Sequence, residues 1–189
     1  MPPKTKITKE EIIEAAVDLV RKSGAEAINA RAIANCIGSS TQPIFSNFCS
    51  MEELRGAVIE KANELYLKNE KELIEKELYP PYKSTGMAYI RFAKEEKELF
   101  KLLFMRDRTN EPMALGYRVD PALEMLMNAT GFDLNTAERV HLSMWACVHG
   151  FATMSVSNYI DIPDDIISNT LTDIYTSLTS KMKEADEKE

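Results

Sequence analysis

Apolar residues in this chain recur at three- and four-residue steps and nowhere alternate over the length of a strand. That is the period of a helix face, so the chain has to bury its apolar surface by packing helices together. The run Ile167, Leu171, Ile174, Leu178 and Met182 steps by 4, 3, 4 and 4. Start and stop signals bracket each such stripe. Thr8-Lys9-Glu10-Glu11 reads as a capping box, in which the Thr hydroxyl takes a free amide and the Glu reaches back. Ile12, Ala16, Leu19 and Val20 then share a face, and Gly24 ends the helix. Asn29 is expected to cap a short second helix carrying Ile33, Ala34 and Ile37, with Gly38 as its stop.

Ser39 or Ser40 is expected to cap a third helix, in whose first turn Pro43 is tolerated because the amides there have no intrahelical acceptor. Ser50-Met51-Glu52-Glu53 is a further capping box and opens a long helix with Leu54, Val58, Ala62, Leu65 and Leu73 inward. Ser84 is the expected start of a fifth helix, and Leu99, Leu102, Leu103 and Phe104 mark a short sixth. Residues 106–120 lose all periodicity and read as a loop. A modest helix over 121–130 stops at Gly131, and Asn135-x-x-Glu138 is expected to open a long one. Ile162-Pro163-Asp164 breaks the chain before the last helix. The expected fold is all-α, with about nine helices. A three-helix head with a helix-turn-helix (1–54) is joined by a long helix to a C-terminal bundle (55–183), and a charged tail (184–189) frays.

Composition excludes several classes. With 44% hydrophobic and 28% charged residues, the chain is not disordered throughout. No apolar run approaches the roughly 18 residues of a membrane span, and no apolar stretch follows Met1-Pro2-Pro3-Lys4, so neither a membrane segment nor a secretory signal is expected. Cys36, Cys49 and Cys147 are an odd, scattered set, which fits a reducing cytoplasm better than a disulfide framework. The net charge of -7 is uneven: residues 1–50 carry six Lys/Arg against five Asp/Glu, the remainder 17 against 25. An acidic body behind a near-neutral head is compatible with nucleic-acid binding by the head alone.

Residues 29–48 are the most informative stretch. In a helix-turn-helix the first helix braces the second, whose N-terminal residues reach base edges in the major groove. Thr41, Gln42, Pro43 and Ile44 stand there. Gln can make a bidentate contact to adenine, Thr can bond several bases, and apolar groups can meet a thymine methyl. Further along, His141, Trp145 and His149 are spaced i, i+4, i+8 and line one helix face, as a ligand wall or as a core or dimer stripe. The second half is also rich in methionine, which fills cores and lines adaptable pockets alike. Cys147 and His149, two apart, do not share a helix face. No phosphate loop, nucleophile elbow or paired carboxylates occur, so no metal, cofactor or enzymatic activity is expected.

The head resembles that of the tetracycline-repressor (TetR) family of dimeric transcriptional regulators. The resemblance rests on Ile12-Ile13-Glu14-Ala15-Ala16, on Arg31-Ala32-Ile33-Ala34 with Ile37-Gly38, on the stretch from Ser40-Thr41-Gln42-Pro43 through Phe45-Ser46-Asn47-Phe48, and on Ser50-Met51-Glu52-Glu53-Leu54. Looser likeness continues in Ala93-Lys94-Glu95-Glu96-Lys97-Glu98-Leu99-Phe100 and Trp145-Ala146-Cys147-Val148-His149-Gly150. It implies that Thr41, Gln42 and Pro43 meet base edges, that Arg31 meets a base or phosphate, and that Thr8, Ser40, Phe45 and Asn47 meet the DNA backbone. The family usually has Tyr where Phe45 stands and Lys at Cys49 and Met51, which implies a smaller phosphate contribution to affinity here.

The resemblance further implies a homodimer formed through the helices over 135–158 and 163–182. A small-molecule effector would occupy a cavity among the fifth to eighth helices, with Tyr89, Phe92, Leu103, Phe104, Met125, Trp145 and His149 as its lining. The implied function is a cytoplasmic repressor, released from a near-palindromic double-stranded DNA operator by that effector. The alternative is a helical small-molecule-binding or scaffold dimer with weak or no DNA binding.

Overall fold

A computed structural model of the chain describes residues 7–109 and 121–186; most of the expected loop (106–120) and the last three residues of the expected tail lie outside them. Nine α-helices and no strand occur among the described residues. They are α1 (Lys9–Ser23), α2 (Ala30–Cys36), α3 (Gln42–Asn47), α4 (Met51–Glu75), α5 (Pro81–Glu95), α6 (Lys97–Phe104), α7 (Pro121–Thr130), α8 (Leu134–Val156) and α9 (Asp164–Asp186). None of them is long and apolar enough to cross a membrane.

The chain divides into two compact units. The first comprises the described residues up to Lys68 together with Glu96–Arg106; the second comprises Asn69–Glu95 and the described residues from Asp107 on. In the first, Thr8 caps α1 through a complete capping box. The Glu11 amide donates to Thr8 Oγ1 (3.2 Å) and the Thr8 amide donates to Glu11 Oε2 (2.7 Å). Ile12, Ile13, Ala16, Val17 and Val20 form the buried face of α1. Gly24 ends the helix at φ 78° and ψ 169°, a conformation that only glycine adopts without strain. Asn29 Oδ1 accepts the Ala32 amide (2.9 Å) and so starts α2.

Three helix starts differ from expectation. α3 is capped at Thr41, not at Ser39 or Ser40. Thr41 has helical backbone angles, so its hydroxyl makes none of the bonds that an extended cap residue makes. α5 begins at Pro81, three residues before Ser84, because Pro is well suited to a first helical position; the Ser84 hydroxyl instead donates to the Tyr79 carbonyl (3.1 Å). At α8 the cap is Asp133, whose Oδ1 accepts the Thr136 amide (2.8 Å), in place of Asn135. α9 continues through Asp186, into the segment expected to fray.

α6 packs against α1 within the first unit. Arg21 grips Glu96 with two parallel bonds, Nε to Oε2 at 2.9 Å and Nη2 to Oε1 at 2.8 Å, and reaches Asp18 at 3.1 Å. The second unit is built on the pairing of α5 with α8, with α7 and α9 against α8. α5 and α8 approach closely at Gly86, where a Cβ would stand 3.0 Å from Val148 Cγ2. Lys94 ties α5 to the start of α9, donating to the Ile162 carbonyl (2.8 Å) and pairing with Asp164 (2.6 Å).

Candidate functional site

The head carries its candidate interface on α3 and the residues before it. The inner side of this short helix is anchored by buried Ile44, with buried Phe48 following at its C-cap. Burial of those two fixes which residues face water. Ser40, Gln42, Phe45 and Ser46 are exposed, while Thr41, Pro43 and Asn47 are half-buried. Phe45 stands out, with 56% of its surface exposed. The Ser46 hydroxyl donates to the Gln42 carbonyl (2.9 Å). The Asn47 amide group donates to the carbonyls of Pro43 (2.8 Å) and Ile7 (3.4 Å), bracing α3 against the start of α1. Thr8, for its part, is engaged in its capping box.

Several charges of the head are paired. Lys9 meets Glu53 at 3.0 Å and lies 4.7 Å over the Phe48 ring. The Cys49 amide donates to Glu53 as well (2.7 Å), and that bond together with Lys9 holds Glu53 below the ordinary carboxylate range. The second half of the Ser50 capping box therefore closes on Cys49, one residue before its usual place. Lys61 pairs with Glu10 at 2.9 Å. Arg31 is exposed and makes no ion pair among the described residues, and neither does Lys22. Sequence reasoning singled out Arg31 but missed the pairing of Lys9 and Lys61, which depends on helices far apart in the chain.

The ligand-wall candidates fall in both units. Leu103 and Phe104 stand on α6 in the first, Leu103 buried and Phe104 edge-on to Tyr66 with centroids 5.2 Å apart. In the second unit Phe92 is buried on α5 and Met125 half-buried on α7. The structure brings together Tyr89, Trp145 and His149. The Tyr89 hydroxyl lies 2.9 Å from His149 Nδ1, and the Trp145 indole stacks on the His149 ring at 5.0 Å and 8°. Burial pushes the Tyr89 hydroxyl far above the ordinary phenol range, with the charge of Arg108 opposing, and burial lowers His149. Both are neutral at neutral pH.

A second Tyr–His pair lies two turns away. Tyr82 and His141 Nδ1 are 3.1 Å apart, and Tyr82 also meets the ring of Tyr175. His141 and His149, on one face of α8, thus answer to different tyrosines of α5. The signal was present in the sequence: Tyr82 and Tyr89 are seven apart, close to the eight of the histidines. Arg108 was not anticipated, since it stands in an aperiodic stretch.

Residues 83–174 match the family described as tetracyclin repressor-like, C-terminal domain. No curated protein matches the chain. Three of the solved structures that share the fold are as follows. One is a protein of unknown function from Rhodococcus sp. RHA1, at TM-score 0.72 and 18% identity over 95% of this chain and 100% of that one. Another is a TetR-like transcriptional regulator from the same organism, at TM-score 0.67 and 14% identity over 93% and 96% of the two chains. The third is a multidrug-binding protein, EbrR, complexed with imidazole, at 0.61 and 15% over 92% and 96%. Residues 83–174 thus form a tetracyclin repressor-like C-terminal domain, in a chain whose fold is shared with a TetR-like transcriptional regulator.

Proposed function

We propose that the protein is a one-component repressor in the cytoplasm. A homodimer formed through α8 and α9 holds a near-palindromic operator by its two heads, and a small molecule bound in the second unit releases it. The observation that carries the reading is α3, a short helix with its core side buried and Gln42 held outward beside Thr41, the side chains suited to base edges. Arg31 supplies an exposed cation for the DNA, while Ser40 and Pro43 complete the approach. On the effector side, Tyr89, Trp145 and His149 offer a neutral polar pair beneath an indole face, which suits a mostly apolar ligand with one or two polar groups. No catalytic step is assigned to the protein. Effector binding shifts the dimer only as far as its affinities for the bound and released states differ.

A second reading, a ligand-binding dimer with little affinity for DNA, is favoured by the pairing of Lys9 and Lys61 with carboxylates and by Cys49 and Met51 where the family often has lysine. Selection of bound sites from random duplex DNA separates the two, followed by titration at several salt concentrations. A repressor returns a palindromic site with affinity that falls as salt rises. Failure to bind any duplex at low salt, without effector, leaves the ligand-binding dimer.

A further inference from the structure

We propose that the outward face of α3 reads an adenine and the methyl group of a thymine in the adjacent base pair, Gln42 taking the adenine and Phe45 the methyl. This inference rests on the DNA-binding reading above and gives it a sequence class. Ile44 and Phe48 are buried, which turns Gln42 and Phe45 to the solvent on one side of the helix, three residues apart. The remaining polar groups of α3 are engaged within the head. Ser46 donates to the Gln42 carbonyl, and Asn47 donates to Pro43 and Ile7. The face therefore offers one carboxamide and one apolar ring, and the carboxamide makes no hydrogen bond among the described residues.

Chemistry then narrows what each can recognise. A Gln carboxamide matches the donor–acceptor pair on the major-groove edge of adenine, while the apolar feature of that groove is the thymine methyl. A phenyl ring has no group with which to hold a phosphate, and a ring 56% exposed regains hydrophobic free energy only against an apolar surface. Residues three apart advance about 4.5 Å along a helix, near the ~3.4 Å spacing of base pairs on one strand, so the two side chains address neighbouring pairs. Pro43, in the first turn, fixes the backbone between them.

The test uses the full-length protein and its selected operator, with each thymine replaced in turn by deoxyuridine and each adenine by 7-deazaadenine. The expected result is one thymine per half-site whose methyl loss weakens wild-type binding about fourfold, the effect of one buried methyl. Phe45→Ala should show a similar loss on the unmodified operator and be indifferent to deoxyuridine at that position. Gln42→Ala should be indifferent to 7-deazaadenine at the neighbouring pair, where the wild type is weakened. Phe45→Tyr should keep its sensitivity to the methyl. Thermal melting of each variant shows that the head stays folded, and the deoxyuridine series on the wild type needs no variant at all. Should the wild type bind its operator yet tolerate loss of every methyl singly, with Phe45→Ala weakening all sequences alike, the ring lies on the sugar–phosphate backbone and the inference is overturned. Absence of binding to any duplex overturns it together with the DNA-binding reading, and that outcome is told apart by the unmodified operator.

Discussion

Thr8 has one hydroxyl and two duties. It accepts the Glu11 amide and donates to Glu11 Oε2, so any phosphate bond competes with the cap of α1. Thr8→Ala should therefore cost about 1 kcal/mol of stability, read in a urea melt, and Thr8→Ser should restore it. Loss of DNA affinity in Thr8→Ala that Thr8→Ser fully recovers without the methyl is the signature of a capping hydroxyl that also meets the backbone. Arg31 is simpler, since no internal partner among the described residues holds it. Arg31→Ala should flatten the dependence of log affinity on log salt by about one unit per half-site, and an unchanged slope removes Arg31 from the phosphates. His149 gives a test by pH. Burial lowers its folded pKa below the unfolded value of about 6.5, so proton uptake favours the unfolded chain. Its contribution is whole above about pH 6.5 and is lost as pH falls from there towards the depressed folded pKa, with a slope of at most about 1.4 kcal/mol per pH unit. Melts of wild type and His149→Phe between pH 7.5 and 5 should converge on acidification; parallel curves would refute the assignment.

At the scale of elements, Gly86 decides how near α5 and α8 come. Alanine is favoured over glycine within a helix by about 1 kcal/mol, yet a Cβ here would meet Val148 Cγ2 at 3.0 Å. Val148 is β-branched and has essentially one rotamer in a helix, so it cannot swing aside, and overpacking of this kind costs about 1–3 kcal/mol. Gly86→Ala should destabilise the wild type and stabilise Val148→Ala, a reversal of sign that a double-mutant cycle reads directly; the same sign in both backgrounds refutes the clash. The helices themselves were legible because their signals are local. Thr8, Asn29 and Gly131 act within four residues, and the stripe of α1 needs only its own period. The starts of α5 and α8 were not, because each lies beside a second competent residue: Pro81 outcompetes Ser84, and Asp133 outcompetes Asn135. Nor was the place of α6 legible. Its sequence suggests the C-terminal bundle, but Glu96 is held by Arg21, 75 residues earlier, and no local pattern encodes such a pair. The same holds for the candidate site: Gln42 could be read from the helix-turn-helix layout, whereas the internal engagement of Asn47 and the union of Tyr89 with His149 depend on packing between helices.

For the whole molecule, the question is what covers α8. Leu134, Leu142 and Trp145 lie on one face of that helix and are 53%, 52% and 45% exposed, and Ile166 at the start of α9 is 52% exposed. Apolar side chains so arranged on two successive helices call for a partner, and a two-fold axis lets a second copy supply the same face in return. The particle in solution should therefore have about twice the 21.4 kDa mass of the chain, ~43 kDa. Trp145 is the single tryptophan of the sequence, so its emission reports on this face alone. If the second copy covers it, the emission of the concentrated protein should be that of a shielded indole and should shift to the red on dilution, in step with the fall in mass seen by light scattering. Leu142→Asp, which places a carboxylate opposite its own copy, should give monomer at concentrations where the wild type is dimeric, with the red-shifted emission already present. A ligand that instead seats against the indole alters its emission without changing the mass, so the two roles open to Trp145 separate in one titration. Monomer alone at micromolar concentration, with emission independent of dilution, rules out the dimer and with it the fixed spacing of two heads that a palindromic operator requires.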